Sequence, residues 1–262
     1  MTTNQRNSDS ATTHDTVDAI AYSTQREAFP LRQAFIQQKF DGASVAGPLA
    51  SFVSAGDRTA LLLYFLALTK ASKQPWDVAL HSAVWARALG LPEPTGHTAR
   101  GRVSKAWTRL VDRKLVVRSR RNRTAQFTLL LEDGSGDPYT RPSGKSRRFI
   151  NVSRALWTDG PSDGSRWFED LSLPELSFLI IALSNLDSFS LPVERGPDYY
   201  GISADTLSRG YRGLHKKGLL KVNFQRVIAP LAPEGYTYEN RYTLKRPFGP
   251  RGETSTAASV LR

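Results

Sequence analysis

The feature that most constrains the fold is an amphipathic helical pattern followed at once by a basic β-hairpin, over residues 98–131. Apolar residues recur at the spacing of one face of an α-helix, at Val103, Trp107, Leu110 and Val111. The opposite face carries Arg100, Arg102, Lys105 and Thr108. A β-rich run at 115–117 then leads into a basic turn at 118–123 and a return strand at 126–129. Such a chain must bury its apolar stripe and leave two cationic surfaces in water.

The same pattern occurs a second time further along the chain. Leu207 and Tyr211 follow Val103 and Trp107 at one constant spacing, and Leu214 and Leu219-Leu220 continue the match. The preceding helix, LLLYFLAL at 61–68, matches LSFLIIAL at 176–183. The return strand at 126–129 matches Arg241-Tyr242-Thr243-Leu244. Three matches in one order favour an internal duplication.

The duplication predicts an α+β protein, mostly helical, with two similar domains in tandem. Polar composition without periodicity predicts a disordered tail at 1–24. The predicted first domain spans 25–131, including an N-terminal arm, and the second spans 148–246. Between them, 132–147 is dense in Gly, Pro and Ser and is interpreted as a linker. Residues 247–262 are predicted to be a second disordered tail.

The charge of the chain indicates the class of partner. Lysine and arginine number 36 against 24 acidic residues, which gives a net charge of +12. This excess is clustered, and it points to a polyanion, either nucleic acid or an anionic membrane surface. The aromatic content, with five Trp, nine Tyr and twelve Phe, suffices to build two small cores.

Several classes of function are disfavoured by what the sequence lacks. With no cysteine there are no disulfides and no thiolate nucleophiles or metal ligands. The four histidines show no metal-ligand spacing, and Gly144-Lys145-Ser146 lacks the upstream glycine of a phosphate-binding loop. We therefore expect no enzymatic activity, no metal and no small-molecule cofactor. With no signal peptide pattern and no membrane-spanning run, we expect a cytoplasmic protein without a membrane partner.

A helix with a basic outer face, followed by a hairpin with a cationic tip, resembles the winged helix-turn-helix family. The resemblance covers about 57–131 and 172–246 and lies in the order and spacing of elements. It implies double-stranded DNA as the partner, with the third helix of each unit in the major groove and the hairpin, or wing, on the backbone. Two winged helices in one basic chain also resemble, in architecture, the plasmid replication initiators of bacteria.

The resemblance implies a set of DNA-contacting residues, while Trp107 and Tyr211, on apolar faces, are expected in the core. In the first unit the candidates are Thr98, Arg100, Arg102, Lys105, Arg109, Arg118, Arg120, Arg121 and Arg123. In the second they are Ser203, Thr206, Ser208, Arg209, Arg212, Lys216 and Arg226. Glycines at 101, 210 and 213 cost helix propensity, which either close approach of DNA or close packing explains.

Three functions fit these features. The first is a sequence-specific transcriptional regulator, and the second is a replication initiator or origin-binding protein. The two differ in the DNA site: a promoter operator for the first, and direct repeats near an origin for the second. The third is a protein-interaction module, which the basic wing disfavours.

Overall fold

The computed structural model describes residues 10–122, 124–143, 149–185 and 188–249. The elements of the first half, in chain order, are α1 (Thr13–Ala21), β1 (Ala28–Arg32), β2 (Gln37–Phe40), β3 (Ala43–Ala46), α2 (Leu49–Ser54), α3 (Arg58–Lys70), β4 (Asp77–Val78), α4 (Ser82–Ala88), α5 (His97–Asp112), β5 (Val116–Arg121) and β6 (Thr124–Leu129).

The elements of the second half follow in a related order. They are β7 (Phe149–Ser153), α6 (Ala155–Thr158), α7 (Trp167–Asp170), α8 (Leu173–Leu183), β8 (Phe189–Ser190), α9 (Gly196–Tyr200), α10 (Ala204–Lys216), β9 (Leu220–Ile228) and β10 (Tyr236–Leu244). The protein is therefore an α+β protein, with several small antiparallel sheets.

One order of elements occurs in both halves. A buried helix, a short strand, two helices and a hairpin appear as α3-β4-α4-α5-β5-β6 and again as α8-β8-α9-α10-β9-β10. The strand orders also correspond, β4-β6-β5 in one sheet and β8-β10-β9 in the other. In each sheet the short strand pairs with the last strand of the hairpin, which ties the hairpin to the helices.

The two most apolar stretches of the sequence form the buried helices α3 and α8. Every residue of α3 from Ala60 to Thr69 is buried, and so is every residue of α8 from Glu175 to Ala182. A helix that is apolar on all sides must be surrounded by other elements, because no face of it suits water. Asp57 caps the start of α3, and a Ser172–Glu175 capping box starts α8.

The prediction of a disordered N-terminal tail is wrong for residues 13–21, which form α1. A capping box between Thr12 and Asp15 starts this helix, and Val17 and Ile20 are buried. The carboxylate of Asp18 accepts hydrogen bonds from the Arg166 guanidinium at 2.8 and 2.9 Å. The abundance of Ser, Thr and Asp concealed a short amphipathic helix. Residues 1–9 lie outside the described residues.

The two halves share one sheet and one core. Strand β1 of the first half pairs antiparallel with β7 of the second, with Phe29 opposite Val152 and Leu31 opposite Ile150. The buried apolar side chains of both halves form a single cluster. An arm from each half completes this sheet, which a local sequence pattern does not reveal.

The predicted linker is packed against the protein at two of its described residues. Glu132 is fully buried and accepts a hydrogen bond from the Arg32 backbone N–H at 3.2 Å, and Tyr139 is also buried. Phe248, predicted to be in a disordered tail, is buried beside Trp167. Residues 144–147, predicted to be linker, residue 148, predicted to start the second domain, and residues 250–262, predicted to be tail, lie outside the described residues.

Candidate nucleic-acid interface

Helix α5 is fixed to the protein through its aromatic face. Trp107, buried as expected, lies parallel to the Phe127 ring of β6 with centroids 3.8 Å apart. Trp85 of α4 meets Trp107 edge-on at 5.5 Å. These contacts hold α4, α5 and the β5-β6 hairpin, which we call the first hairpin, in one arrangement. The polar face of α5 is consequently held at a defined angle to the first hairpin.

The cations predicted on α5 are exposed, with one exception. Thr98, Arg100, Arg102 and Lys105 are all exposed to solvent. Within the described part of the chain, no carboxylate forms a salt bridge with these arginines or with Lys105. The Arg100 Nε donates to the Ser82 Oγ at 3.2 Å, which links α5 to the start of α4. These side chains present positive charge to solvent without internal neutralisation.

Arg109 is the exception, because it is held by a buried carboxylate. Its Nε and Nη2 donate to Asp57 at 2.6 and 2.8 Å, and the Arg113 Nη1 donates to the same carboxylate at 3.0 Å. Burial opposes ionisation of Asp57, but the hydrogen bonds from Arg109 and the Ala60 N–H outweigh it and lower the pKa of Asp57. The Arg109 guanidinium therefore joins α5 to the start of α3, and the prediction that Arg109 contacts DNA stays a prediction.

Two surface depressions border the exposed face of α5. One, of about 390 Å³, lies between the turn at 55–57 and the side chains of Arg102, Lys105 and Arg109. The other, of about 440 Å³, lies between α4, α5 and the first hairpin. Its floor includes Trp85, Trp107 and Phe127, and its polar lining includes His81, His97, Arg100 and Arg118. Both depressions are concave and carry cations, which suits phosphate groups. In the first, Asp57 also lines the depression and pairs with Arg109, so its positive charge comes from Arg102 and Lys105.

The first hairpin carries its arginines along a strand rather than on a turn. Arg118, Arg120 and Arg121 all belong to β5, so the prediction of a turn at 118–123 is wrong for these positions. All three are exposed, and Arg123 lies outside the described residues. Arg118 lies opposite Phe127, and its guanidinium is 5.9 Å from the Phe127 ring centroid. Since alternate residues share a face, Arg120 projects on this same side, toward α5.

Helix α10 presents a less cationic face than α5. Arg209, exposed as expected, forms an ion pair at 3.0 Å with Asp205, one turn earlier. The exposed Arg212 donates to the Tyr211 hydroxyl at 3.4 Å, and Tyr211 is half-buried beside Phe178 rather than fully in the core. Lys216 is exposed near the C-terminal end. Helices α5 and α10 thus differ in charge although they stand at the same place in the order of elements.

The hydroxyl groups predicted on α10 are partly used by the fold. The Ser203 Oγ accepts from the Thr206 N–H at 3.3 Å and donates to the Thr206 Oγ1 at 2.9 Å, which caps the helix. Thr206 and Ser208 are half-buried. Ser203 therefore has a structural role that accounts for it without DNA.

The helix glycines divide between the two explanations considered for them. A Cβ at Gly210 would lie 2.5 Å from the Pro174 carbonyl oxygen, and one at Gly213 would lie 2.1 Å from the Glu175 Oε1. Both glycines are explained by packing against α8. A Cβ at Gly101 would meet no described atom outside its own helix within 4 Å. Packing therefore does not explain Gly101, which lies among the exposed cations of α5.

The hairpin of β9 and β10, which we call the second hairpin, has exposed apolar side chains that the sequence did not predict. Arg226, a predicted DNA contact, has its guanidinium 3.8 Å from the Tyr236 ring centroid. Phe224, Ile228, Leu231 and Tyr238 are exposed. Apolar residues alternate along β9, which is the one sequence pattern that points to this face. Such alternation usually predicts a buried face, so it does not predict an exposed one.

No protein-family model, curated protein or solved structure matches this chain. None of the helices in the described ranges has the length and apolarity needed to cross a membrane.

Proposed function

We propose that this protein is a non-enzymatic, sequence-specific DNA-binding protein, built from two winged-helix units related by internal duplication. In each unit the third helix, α5 or α10, enters the major groove and the hairpin contacts the adjacent backbone. The observation that carries the proposal is the repeated element and strand order, each copy ending in an exposed cationic helix and a hairpin. The role we favour is a cytoplasmic transcriptional regulator.

The distribution of ion pairs supports a division of labour between the units. Arg102, Lys105 and Arg120 are exposed and, in the described part of the chain, form no salt bridge, so phosphates need not displace a carboxylate from them. Arg209 must exchange Asp205 for a phosphate or a base. The first unit is therefore expected to supply most of the electrostatic affinity. The second unit is expected to add a smaller contribution and to fix the position of the protein along the DNA.

Binding to a duplex of about 40 base pairs, long enough for two half-sites about one helical turn apart, tests the proposal. Fluorescence anisotropy would follow binding between 50 and 200 mM salt. With about six to ten phosphates contacted, affinity should fall by about 10³–10⁵ over that range. The double variant Arg102→Ala/Lys105→Ala should bind more weakly and show a shallower salt dependence. Lys39→Ala, which removes one exposed cation from β2 outside the proposed interface, serves as the control for the loss of a single positive charge.

An affinity that hardly changes with salt, or equal losses in the α5 variant and the Lys39 control, would contradict the proposal. If the wild-type protein binds duplex, footprinting of the DNA that flanks its own gene separates two roles. Protection of a promoter operator supports a regulator, and protection of direct repeats near an origin supports a replication initiator.

A further inference from the structure

The second hairpin differs from the first in length and in the character of its exposed residues. Strands β9 and β10 have nine residues each, against six in β5 and in β6. Of the seven large hydrophobic side chains exposed in the described ranges, four lie on this hairpin. Phe224 is 71% exposed, Ile228 84% and Leu231 101%. Exposed large apolar side chains that cluster on one element in this way are typical of a site of interaction.

The tip of the second hairpin is ordered by its own backbone. The Ala229 N–H donates to the Gly235 carbonyl, the Ala232 N–H to the Ala229 carbonyl, and the Gly235 N–H to the Ala232 carbonyl, each at 2.9 Å. Pro230 precedes Leu231 directly, and Pro233 follows two residues later. Proline fixes the backbone dihedral φ, so the loop loses little further entropy on binding. Leu231 is thus held at the end of a stiff arm with its side chain entirely in solvent.

The shaft of this arm is apolar on one face. Phe224 and Tyr238 are stacked with their ring centroids 4.7 Å apart and 7° between planes, and Arg226 covers Tyr236. Opposite and alternate residues share a face, so these four lie on the same side as Tyr242. The Tyr242 ring is buried, and its centroid lies 5.4 Å from the centroid of the Tyr211 ring in α10. This face therefore lies on the α10 side of the hairpin. Arg226 is the one charged residue among these paired positions.

The arm is long enough to reach a neighbouring groove from α10. Pairing with β8 involves only Arg241 and Tyr242, so residues 224–228 project beyond the three-stranded part of the sheet by about 17 Å at the usual rise of a strand. Strand β9 begins within four residues of the end of α10. If α10 lies in the major groove, as the proposed function requires, the arm extends along the adjacent minor groove.

We propose that the tip of the second hairpin is a wedge, in which Leu231 inserts between adjacent base pairs from the minor groove and kinks the duplex. Insertion of an apolar side chain unstacks a base step and bends DNA toward the major groove by roughly 20–90°. Pyrimidine–purine steps such as TA and CA unstack most readily, and they are the expected target. This inference rests on the proposed DNA binding and assigns a separate role to the second hairpin.

The test measures bending and affinity separately, on a duplex containing TA steps and labelled for energy transfer at both ends. Bound wild-type protein should shorten the end-to-end distance, and 2-aminopurine placed at a TA step should brighten as it unstacks. At saturating protein, Leu231→Ala should lose at least half of both signals. Because Leu231 is fully exposed, this substitution removes no packing, and circular dichroism should show an unchanged fold.

Two control variants make the assignment specific. Thr237→Ala changes an exposed residue on the other face of the second hairpin and should leave bending unchanged. Arg120→Ala/Arg121→Ala, on the first hairpin, should weaken binding but bend DNA like the wild type once saturated.

The outcomes separate this inference from the proposed function. Duplex that is bound but straight, or bent equally by Leu231→Ala, overturns the wedge and leaves DNA binding intact. If wild-type protein binds no duplex at 50 mM salt, both fail. If sedimentation shows a self-association that Leu231→Ala abolishes while bending persists, the tip is a contact between copies of this chain and the wedge is overturned.

Discussion

Replacing Asp57 with asparagine tests whether the Asp57 cluster is structural and whether Arg109 belongs to it rather than to the DNA interface. The Asp57 side chain is 5% exposed and interacts with Arg113, 13% exposed, and Arg109, 40% exposed. Asparagine keeps a side-chain oxygen that can accept from the Ala60 N–H, so the N-cap of α3 survives. The substitution therefore removes the negative charge and the oxygen that accepts from the Arg109 Nε and the Arg113 Nη1, but it keeps the cap.

The expected loss of stability follows from these exposures. Removing one partner of a fully buried ion pair costs about 3–5 kcal/mol, whereas exposed pairs contribute about 0–1 kcal/mol. Because Arg113 is buried and Arg109 is partly solvated, we expect Asp57→Asn to lower the free energy of unfolding by about 2–3 kcal/mol. Asp57→Ala also removes the cap and should cost about 1 kcal/mol more.

Urea denaturation followed by circular dichroism measures these differences, and their pH dependence provides a second check. The pKa of Asp57 is lower in the folded state, so its contribution is fully present above the unfolded pKa of about 4. That contribution is lost as the pH falls through the folded pKa. The stability difference between wild type and Asp57→Asn should therefore shrink on acidification below about pH 4.

The variant Arg109→Ala tests whether Arg109 contributes to DNA binding. Since the Arg109 guanidinium is engaged with Asp57, this substitution should leave duplex affinity within about twofold, whereas Lys105→Ala should cost about 1–3 kcal/mol on a preferred site. An Asp57→Asn protein within 0.5 kcal/mol of wild type would refute the structural reasoning. If Arg109→Ala loses as much DNA affinity as Lys105→Ala, Arg109 is part of the DNA interface.

Three further predictions concern other parts of the protein. Gly101→Ala should stabilise the fold by about 1 kcal/mol, measured by urea denaturation, and weaken duplex binding, measured by anisotropy. Gly210→Ala should destabilise the fold by about 1–3 kcal/mol in the same denaturation assay, because the added methyl group overpacks against α8. Burial raises the pKa of Glu132 despite its ion pair with Arg32, so the stability advantage of wild type over Glu132→Gln should decrease as the pH rises above about 4. Footprinting should show one monomer protecting about 20 base pairs with unlike half-sites, and a perfect palindrome as the preferred site would contradict this.

Local pattern was sufficient to predict most elements from α3 to β6 and from α8 to β10. The spacing of Val103, Trp107 and Leu110 marks the buried face of α5, and the corresponding residues Leu207 and Leu214 are buried in α10. The cap at Ser203 and the long apolar runs of α3 and α8 were also readable, because capping and burial depend on residues close together in the chain. The exposed positions of Arg102 and Lys105 follow from the same periodicity.

What local pattern did not decide depends on contacts between distant residues. The pairing of β1 with β7, the burial of Glu132 against Arg32, and the capture of Arg109 by Asp57 each join segments far apart in sequence. The exposed apolar face of the second hairpin also required the structure, because an alternating strand reads the same whether or not another element covers it. The sequence by itself determined the elements and the faces that each must bury. Only the tertiary structure decided which cations remain free, because a charge is neutralised by neighbours that the fold, and not the chain order, brings to it.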